Sequence, residues 1–185
     1  MRDFNKIDFL IQKRRIAVIE KYVPEDSSLL DIGCGYYPQN LVSLETRIKK
    51  GIGIDRDIPE MSPSGKISFV KHDIERTLPF PSGEFDCVTV LAVLEHLEYP
   101  REIIGECYRI LKPGGRIIVT VPSNYSKPIL LVLAGLGLIS KEEVYSHRHY
   151  FSKRELEKLL SEAHFIEKSA RFYNLFMNLL LVFEK

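Results

Sequence analysis

The chain has 185 residues, 45% hydrophobic and 28% charged, with a formal net charge of +1. That length supports one well-packed domain rather than two large ones, and the balanced charge excludes the basic footprint of a nucleic-acid binder. Cys34, Cys87 and Cys107 lack metal or disulfide spacing, no signal-peptide pattern opens the chain and no uncharged run reaches membrane-spanning length, so the expected setting is the cytoplasm, without stable membrane insertion.

Phe4, Ile7, Ile11, Val18 and Tyr22 recur at helical spacing and predict an N-terminal helix within 1–23, ending before Pro24. Its basic run Lys13-Arg14-Arg15 reads as a solvated face. A first strand is expected at 28–32, a helix at 38–48, a second strand at 51–54 and a third at 67–70. Two prolines and a glycine make 77–83 a loop, before a fourth strand at 85–91. Pro100 opens a helix over 100–111 that stops at Pro113-Gly114-Gly115, and Ile117-Ile118-Val119-Thr120-Val121 reads as a covered central strand. Ser152-Lys153-Arg154-Glu155 is a capping box for a last helix, and two strands follow at 165–172 and 177–183. This alternation predicts a doubly wound, Rossmann-like α/β fold.

The chemistry concentrates after the first strand. In Ser28-Leu29-Leu30-Asp31-Ile32-Gly33-Cys34-Gly35 an apolar strand runs into a glycine loop that lets a ligand lie against the main chain. A carboxylate at Asp31 would repel pyrophosphate and welcome a cation, which favours S-adenosylmethionine, with its sulfonium and ammonium groups, over NAD. Gly51-Ile52-Gly53-Ile54-Asp55 ends a second apolar run in a carboxylate suited to two ribose hydroxyls. A dinucleotide fingerprint needs a third glycine at position 38, where Pro38 stands.

These residues resemble the class I S-adenosylmethionine-dependent methyltransferases, in particular the group acting on small molecules. The resemblance runs from about Ser27 to about Ile166 and includes Lys71-His72-Asp73-Ile74-Glu75, Phe85 to Leu91, Leu94-Glu95-His96-Leu97 and Leu111 to Arg116. It implies a mostly parallel seven-stranded sheet with helices on both faces and an antiparallel last strand. It further implies that Asp31, Gly33 and Gly35 cradle the methionine part of the cofactor, that Asp55 binds ribose, that Asp73 accepts from the adenine amino group and that Ile74 packs on the ring. Cys34, Arg56 and Leu91 flank these positions and are counted with the cofactor site. Tyr37 departs from the pattern, since many members have a third loop glycine there.

Methyl transfer from a sulfonium depends mostly on holding the acceptor close, aligned and desolvated. His96 is a candidate base beyond the fourth strand, with helix capping or orientation by Glu95-His96 as the structural reading. His147 and His149 share one face of an extended segment and are candidates for acceptor contact; two histidines without a third ligand leave a metal site short. Residues 125–151 are expected to form an acceptor-side insertion or lid. Within them the apolar run 128–139 has three readings: a buried core helix, a wall for an apolar acceptor, or a homodimer or membrane-surface contact.

The expected activity is methyl transfer to a small, partly apolar acceptor. Leu91-Ala92-Val93-Leu94 stands where DNA and amide amino-methyltransferases carry an acidic or polar residue, two prolines and an aromatic, and none of the cysteines follows a proline as a cytosine-methylating nucleophile usually does. Two alternatives stay open: a non-catalytic cofactor-binding or partner subunit, and an NAD-dependent oxidoreductase, which would require a proton-transfer pair such as Tyr-x-x-x-Lys, a spacing not expected near the fifth strand.

Overall fold

The apolar runs become the strands of one sheet in the computed structural model, which describes residues 6–58, 65–135 and 148–185. The strands are β1 (Ser28–Ile32), β2 (Lys50–Asp55), β3 (Ile67–Lys71), β4 (Phe85–Leu91), β5 (Leu111–Pro122), β6 (Ile166–Tyr173) and β7 (Asn178–Glu184). Their order is β3-β2-β1-β4-β5-β7-β6. Neighbours from β3 to β5 pair in parallel, while β7 runs antiparallel to both β5 and β6. The order reverses at β1 and β4, so a switch point opens beyond their carboxyl ends.

The helices are α1 (Lys6–Ile19, continued by a 3-10 turn at Glu20–Tyr22), α2 (Gln39–Ser43), α3 (Pro100–Ile110), α4 (Lys127–Gly135) and α5 (Lys153–Glu162). Ile19 of α1 and Leu41 of α2 pack on one face of the sheet with Leu29, Cys87, Ile118 and Leu180. Ile103, Ile104, Cys107 and Ile110 of α3 and Leu156 and Leu160 of α5 cover the other face, against Leu30, Ile32, Val88 and Val90. Each fully buried aliphatic side chain there contributes about 1.5–3 kcal/mol, an upper bound because unfolded chains already bury some of it. The capping box forms as the sequence predicts: Ser152 Oγ accepts from the Glu155 N–H and Glu155 Oε2 accepts from the Ser152 N–H.

Two expectations change. The helix predicted at 38–48 is regular only over Gln39–Ser43. Beyond it the backbone continues in turns closed three residues back, Leu44 to Leu41, Glu45 to Val42 and Arg47 to Leu44, before Lys49 N–H reaches the Ser27 carbonyl and starts β2. The apolar run at 128–139 is not a buried core helix over its described beginning: Ile129 and Leu131 are 46% and 38% exposed, and the described contacts of α4 run chiefly to the 3-10 turn Asn124–Ser126 before it.

Candidate cofactor site at the carboxyl edge

Strand alternation sends Leu29 and Asp31 to the α1 face, and parallel register sets Asp31 opposite Thr89. Thr89 Oγ1 donates to Asp31 Oδ1 at 2.7 Å. Asp31 is 2% exposed, and its Oδ2 has no hydrogen-bond partner. Burial pushes the carboxyl up to about 7; the Thr89 bond and the positive charge of Arg15 oppose that rise, and the Asp55 charge adds to it.

The loop then folds back over β2. Gly33, at φ +74°, donates to the Ile54 carbonyl at 2.8 Å, and a Cβ there would lie 2.3 Å from Val93 Cγ2. Glycine is required on both counts. The Cys34 side chain packs against Gly53, where a Cβ would meet its Sγ at 2.7 Å, and burial pushes the thiol far up, so Cys34 shapes the loop and is no nucleophile. Gly35 N–H donates to Asp55 Oδ2 at 2.9 Å, which ties the loop to the end of β2, and Asp57 N–H donates to Asp55 Oδ1 at 3.0 Å. Arg56 turns outward and pairs with Asp57 at 3.8 Å. Asp73 is exposed, Ile74 is half-buried against the core and Leu91 is buried at the end of β4.

Besides Asp31 Oδ2, the buried atoms Thr120 Oγ1, Arg15 Nε and Gln12 Oε1 lack hydrogen-bond partners. Thr120 follows Ile118 by two residues on β5 and so shares the α1 face with Asp31. Arg15 departs from the solvated-face expectation: Lys13 and Arg14 are exposed, while Arg15 is half-buried. Buried polar atoms normally find partners, so the unpartnered Asp31 oxygen beneath the glycine loop, with Thr120 Oγ1 on the same face of the sheet, marks a place for a polar, partly cationic ligand. The donor set therefore fits the amino-acid end of S-adenosylmethionine.

Past β4, Ala92 takes φ +58° and its N–H reaches the Thr120 carbonyl at 2.8 Å, turning the chain outward at a cost of order 1 kcal/mol. Glu95 follows, 2% exposed, and its carbonyl accepts from the Arg148 N–H at 2.8 Å and the His149 N–H at 3.1 Å. His149 Nε2 donates to the Leu97 carbonyl at 3.1 Å, and its ring tilts against Phe151 with centroids 5.5 Å apart. His149 thus anchors its own segment to the turn after β4. His96 is half-buried in that turn, and His147 lies outside the described residues. Tyr99, not Glu95 or His96, occupies the cap position of α3, and it is the Glu95 carbonyl that holds the segment from Arg148. Burial, and then the charge of Glu95, raises the Tyr150 hydroxyl, and Lys127 Nζ sits 4.7 Å from the Tyr150 ring centre.

Sequence reasoning missed Glu95, Thr89 and Arg15 as site residues. A carboxylate between Leu94 and Leu97 just past a strand end was the available signal for Glu95; Thr89 and Arg15 gave none without tertiary pairing. The chain does carry one Tyr-x-x-x-Lys spacing, Tyr108 to Lys112. Tyr108 stacks edge-on with Phe165 at 5.1 Å, and Lys112 Nζ donates to Asp86 Oδ1 at 2.7 Å. That places both far from the glycine loop and leaves the oxidoreductase alternative without its proton-transfer pair.

A sheet of this order, with a glycine loop after β1 and carboxylates ending β1 and β2, defines a nucleoside-cofactor enzyme of the class I methyltransferase type. A family profile described as "Methyltransferase domain" matches residues 6–165, and the chain belongs to that family, whose methyl donor is S-adenosylmethionine. It is 46% identical over 65 residues to the ubiquinone/menaquinone biosynthesis C-methyltransferase of Pseudomonas paraeruginosa, a match covering 35% of this chain and 24% of that protein. The chain thus spans about a quarter of the length of that curated relative. Among solved structures, a putative methyltransferase from Haloferax volcanii in complex with the Trm112 methyltransferase activator superposes with TM-score 0.70 at 19% identity, covering 99% of both chains. The 1,6-didemethyltoxoflavin-N1-methyltransferase of Burkholderia thailandensis, with bound 1,6-didemethyltoxoflavin and S-adenosylhomocysteine, superposes with TM-score 0.70 at 16% identity over 94% of this chain and 77% of that one. Both share the fold.

Proposed function

We propose that this protein, acting as a single methyltransferase domain over residues 1–185, moves the methyl group of S-adenosylmethionine to a small, partly apolar acceptor. The observation that carries this reading is the buried Asp31 carboxylate, one oxygen unpartnered, beneath a glycine loop whose last N–H is held by Asp55. The bound cofactor supplies a methyl group already activated on a sulfonium. Asp31 faces the ammonium, the Gly33–Gly35 backbone lies along the methionine chain, and Asp55 takes the ribose hydroxyls in place of its bonds to the loop. Asp73 accepts from the adenine amino group and Ile74 packs on the ring. Cys34 and Leu91 shape the floor and Arg56 stays at the rim.

The acceptor side comprises the turn after β4 and the segment from Arg148. His96 remains a base candidate and His147 a candidate for acceptor contact, and Glu95 joins them as a buried carboxylate whose charge acts on Tyr150. The Leu97 bond favours a positioning role for His149. The exposed Ile129 and Leu131 support an apolar acceptor wall or a homodimer contact through 128–139. The relative that methylates carbon in ubiquinone/menaquinone biosynthesis supports carbon as an accepting atom, and the neighbour bound to an activator supports a protein partner as a second reading. Three free, buried thiols support a reducing compartment such as the cytoplasm. No helix among the described residues is long and apolar enough to cross a membrane.

The test is release of S-adenosylhomocysteine when the protein and S-adenosylmethionine meet a panel of acceptors graded in polarity. Turnover is expected for partly apolar acceptors. Turnover of free sugars alone removes the apolar assignment, and cofactor binding without turnover of any acceptor supports the non-catalytic reading.

A further inference from the structure

Past Pro122, at the end of β5, the chain builds the outer part of the carboxyl edge. Pro122 and Tyr173 both stand opposite Asn178, so the turn 174–177 that joins β6 to β7 overhangs that edge beside the 3-10 turn Asn124–Ser126 and α4. Asn174, Leu175 and Phe176 take φ +51°, +55° and +66°. Asparagine visits this left-handed region readily, whereas leucine and phenylalanine do so at a steric cost. The turn is nonetheless held fast. Ser123, fully buried, donates its N–H to the Met177 carbonyl at 2.8 Å and its hydroxyl to the Phe176 carbonyl at 2.6 Å, and Met177 N–H donates to the Asn174 carbonyl at 3.1 Å.

What the turn holds out is apolar. Leu175 is 93% exposed and Phe176 66%. Phe172 lies between Phe176 and Tyr125, with ring centroids 5.4 and 6.0 Å away, and Tyr125 is itself 67% exposed. Helix α4, which follows Tyr125 directly, adds the exposed Ile129 and Leu131. Glycine or asparagine would close this turn with less strain, so the large apolar side chains there are placed for a surface outside the chain.

Charge says what kind of surface. The stretches 122–140 and 169–183 contain no Asp or Glu; Lys127 and Arg171 are their only charged residues, and both are exposed. An apolar tip with a tyrosine and basic residues beside it matches the headgroup boundary of an anionic bilayer. A second copy docking symmetrically through the same face would set Lys127 and Arg171 against their own counterparts, with no carboxylate from either stretch between them. We infer that the turn 174–177, Tyr125 and the start of α4 dock on an anionic lipid surface without spanning it. The face overhangs the edge that carries the glycine loop, so an acceptor held in the bilayer reaches the site from that side; this consequence rests on the cofactor reading above, whereas the docking does not.

Flotation with vesicles of phosphatidylcholine alone, or of equal parts phosphatidylcholine and phosphatidylglycerol, tests the surface. The protein is expected to float with the anionic vesicles, to be partly released by high salt and to bind the neutral ones more weakly. Leu175→Asn with Phe176→Asn is expected to cut partitioning about tenfold or more, and Lys127→Gln to cut it about fivefold on the anionic vesicles alone. Asparagine accepts the backbone of this turn, and thermal melting checks that each variant is folded. Leu175→Asn alone changes a side chain too exposed to threaten the fold and is expected to show part of the loss. No flotation of wild type, or equal flotation of wild type and the double variant, overturns the inference. So does a dimer in light scattering that the double variant splits, which assigns the face to a second copy. S-adenosylhomocysteine titrated without vesicles keeps the two readings apart: flotation without cofactor binding overturns the cofactor reading alone, and cofactor binding without flotation overturns only the docking surface.

Discussion

Asp31 and Asp86 stand on neighbouring strands of one sheet, and their surroundings are opposite. At the amino edge, Asp86 Oδ2 accepts from Ser28 N–H at 2.9 Å and Ser28 Oγ at 2.6 Å, while Oδ1 accepts from Lys112 Nζ at 2.7 Å. Burial lifts the Asp86 carboxyl, but the Lys112 and Ser28 bonds outweigh it and hold it below the usual carboxylate range. At the carboxyl edge, Asp31 has one bond, from Thr89, and burial dominates. Clefts of about 400 and 430 Å³ flank Asp86, yet every polar atom of that carboxylate is satisfied. Unmet bonding capacity, rather than cleft volume, distinguishes a carboxylate that waits for a ligand from one that fastens strands together.

Three substitutions break that comparison at different points. The largest effect is expected from Gly33→Val, which adds a Cβ 2.3 Å from Val93 and forces a β-branched residue to φ +74°. Loss of S-adenosylhomocysteine binding and a destabilisation of about 3 kcal/mol or more, read by calorimetry and denaturant melts, are expected. Normal folding and binding would remove the loop from the site.

Asp31→Asn comes next and separates stability from function. The Asp31 carboxyl titrates near 3.8 when unfolded and about 7 when folded. Its stabilising contribution is therefore full below pH 4, is lost as pH rises through 7, and stays lost above. At pH 8 the substitution is expected to stabilise the protein without ligand by up to roughly 4 kcal/mol and to weaken S-adenosylhomocysteine. A variant less stable than wild type at pH 8 would contradict the burial argument. Asp86→Ala gives the smallest effect and the opposite pattern: about 1–2 kcal/mol of stability lost, since Asp86 is partly exposed, with S-adenosylhomocysteine affinity unchanged.

The strands were legible because covered parallel strands are apolar on both faces: Ser28–Ile32 and Phe85–Leu91 fall where their runs predict. The antiparallel placement of β7 came from the family resemblance, since no periodicity carries strand direction. Helix α2 was overread because Leu44 and Ile48 keep helical spacing while making turns that pack with Leu29 and Ile67 on the α1 face of the sheet. Arg15 was misread because a basic run on an amphipathic helix resembles a solvated face, and only the docking of α1 separates Arg15 from Lys13 and Arg14. Asp31 was legible from its place before the glycines; its orphaned oxygen and its Thr89 partner depend on strand register.

The most direct measurement is the affinity of wild type and Asp31→Asn for S-adenosylhomocysteine from pH 5.5 to 8.5. The groups that act on Asp31 are Thr89, Arg15 and Asp55, and the ligand ammonium favours its ionised form. Wild-type affinity is expected to rise with pH, level off above about 7, and exceed that of Asp31→Asn by at least tenfold there, with the variant nearly flat across the range. Equal affinities with parallel pH profiles would contradict the assignment of Asp31 as the residue that receives the cofactor's cation.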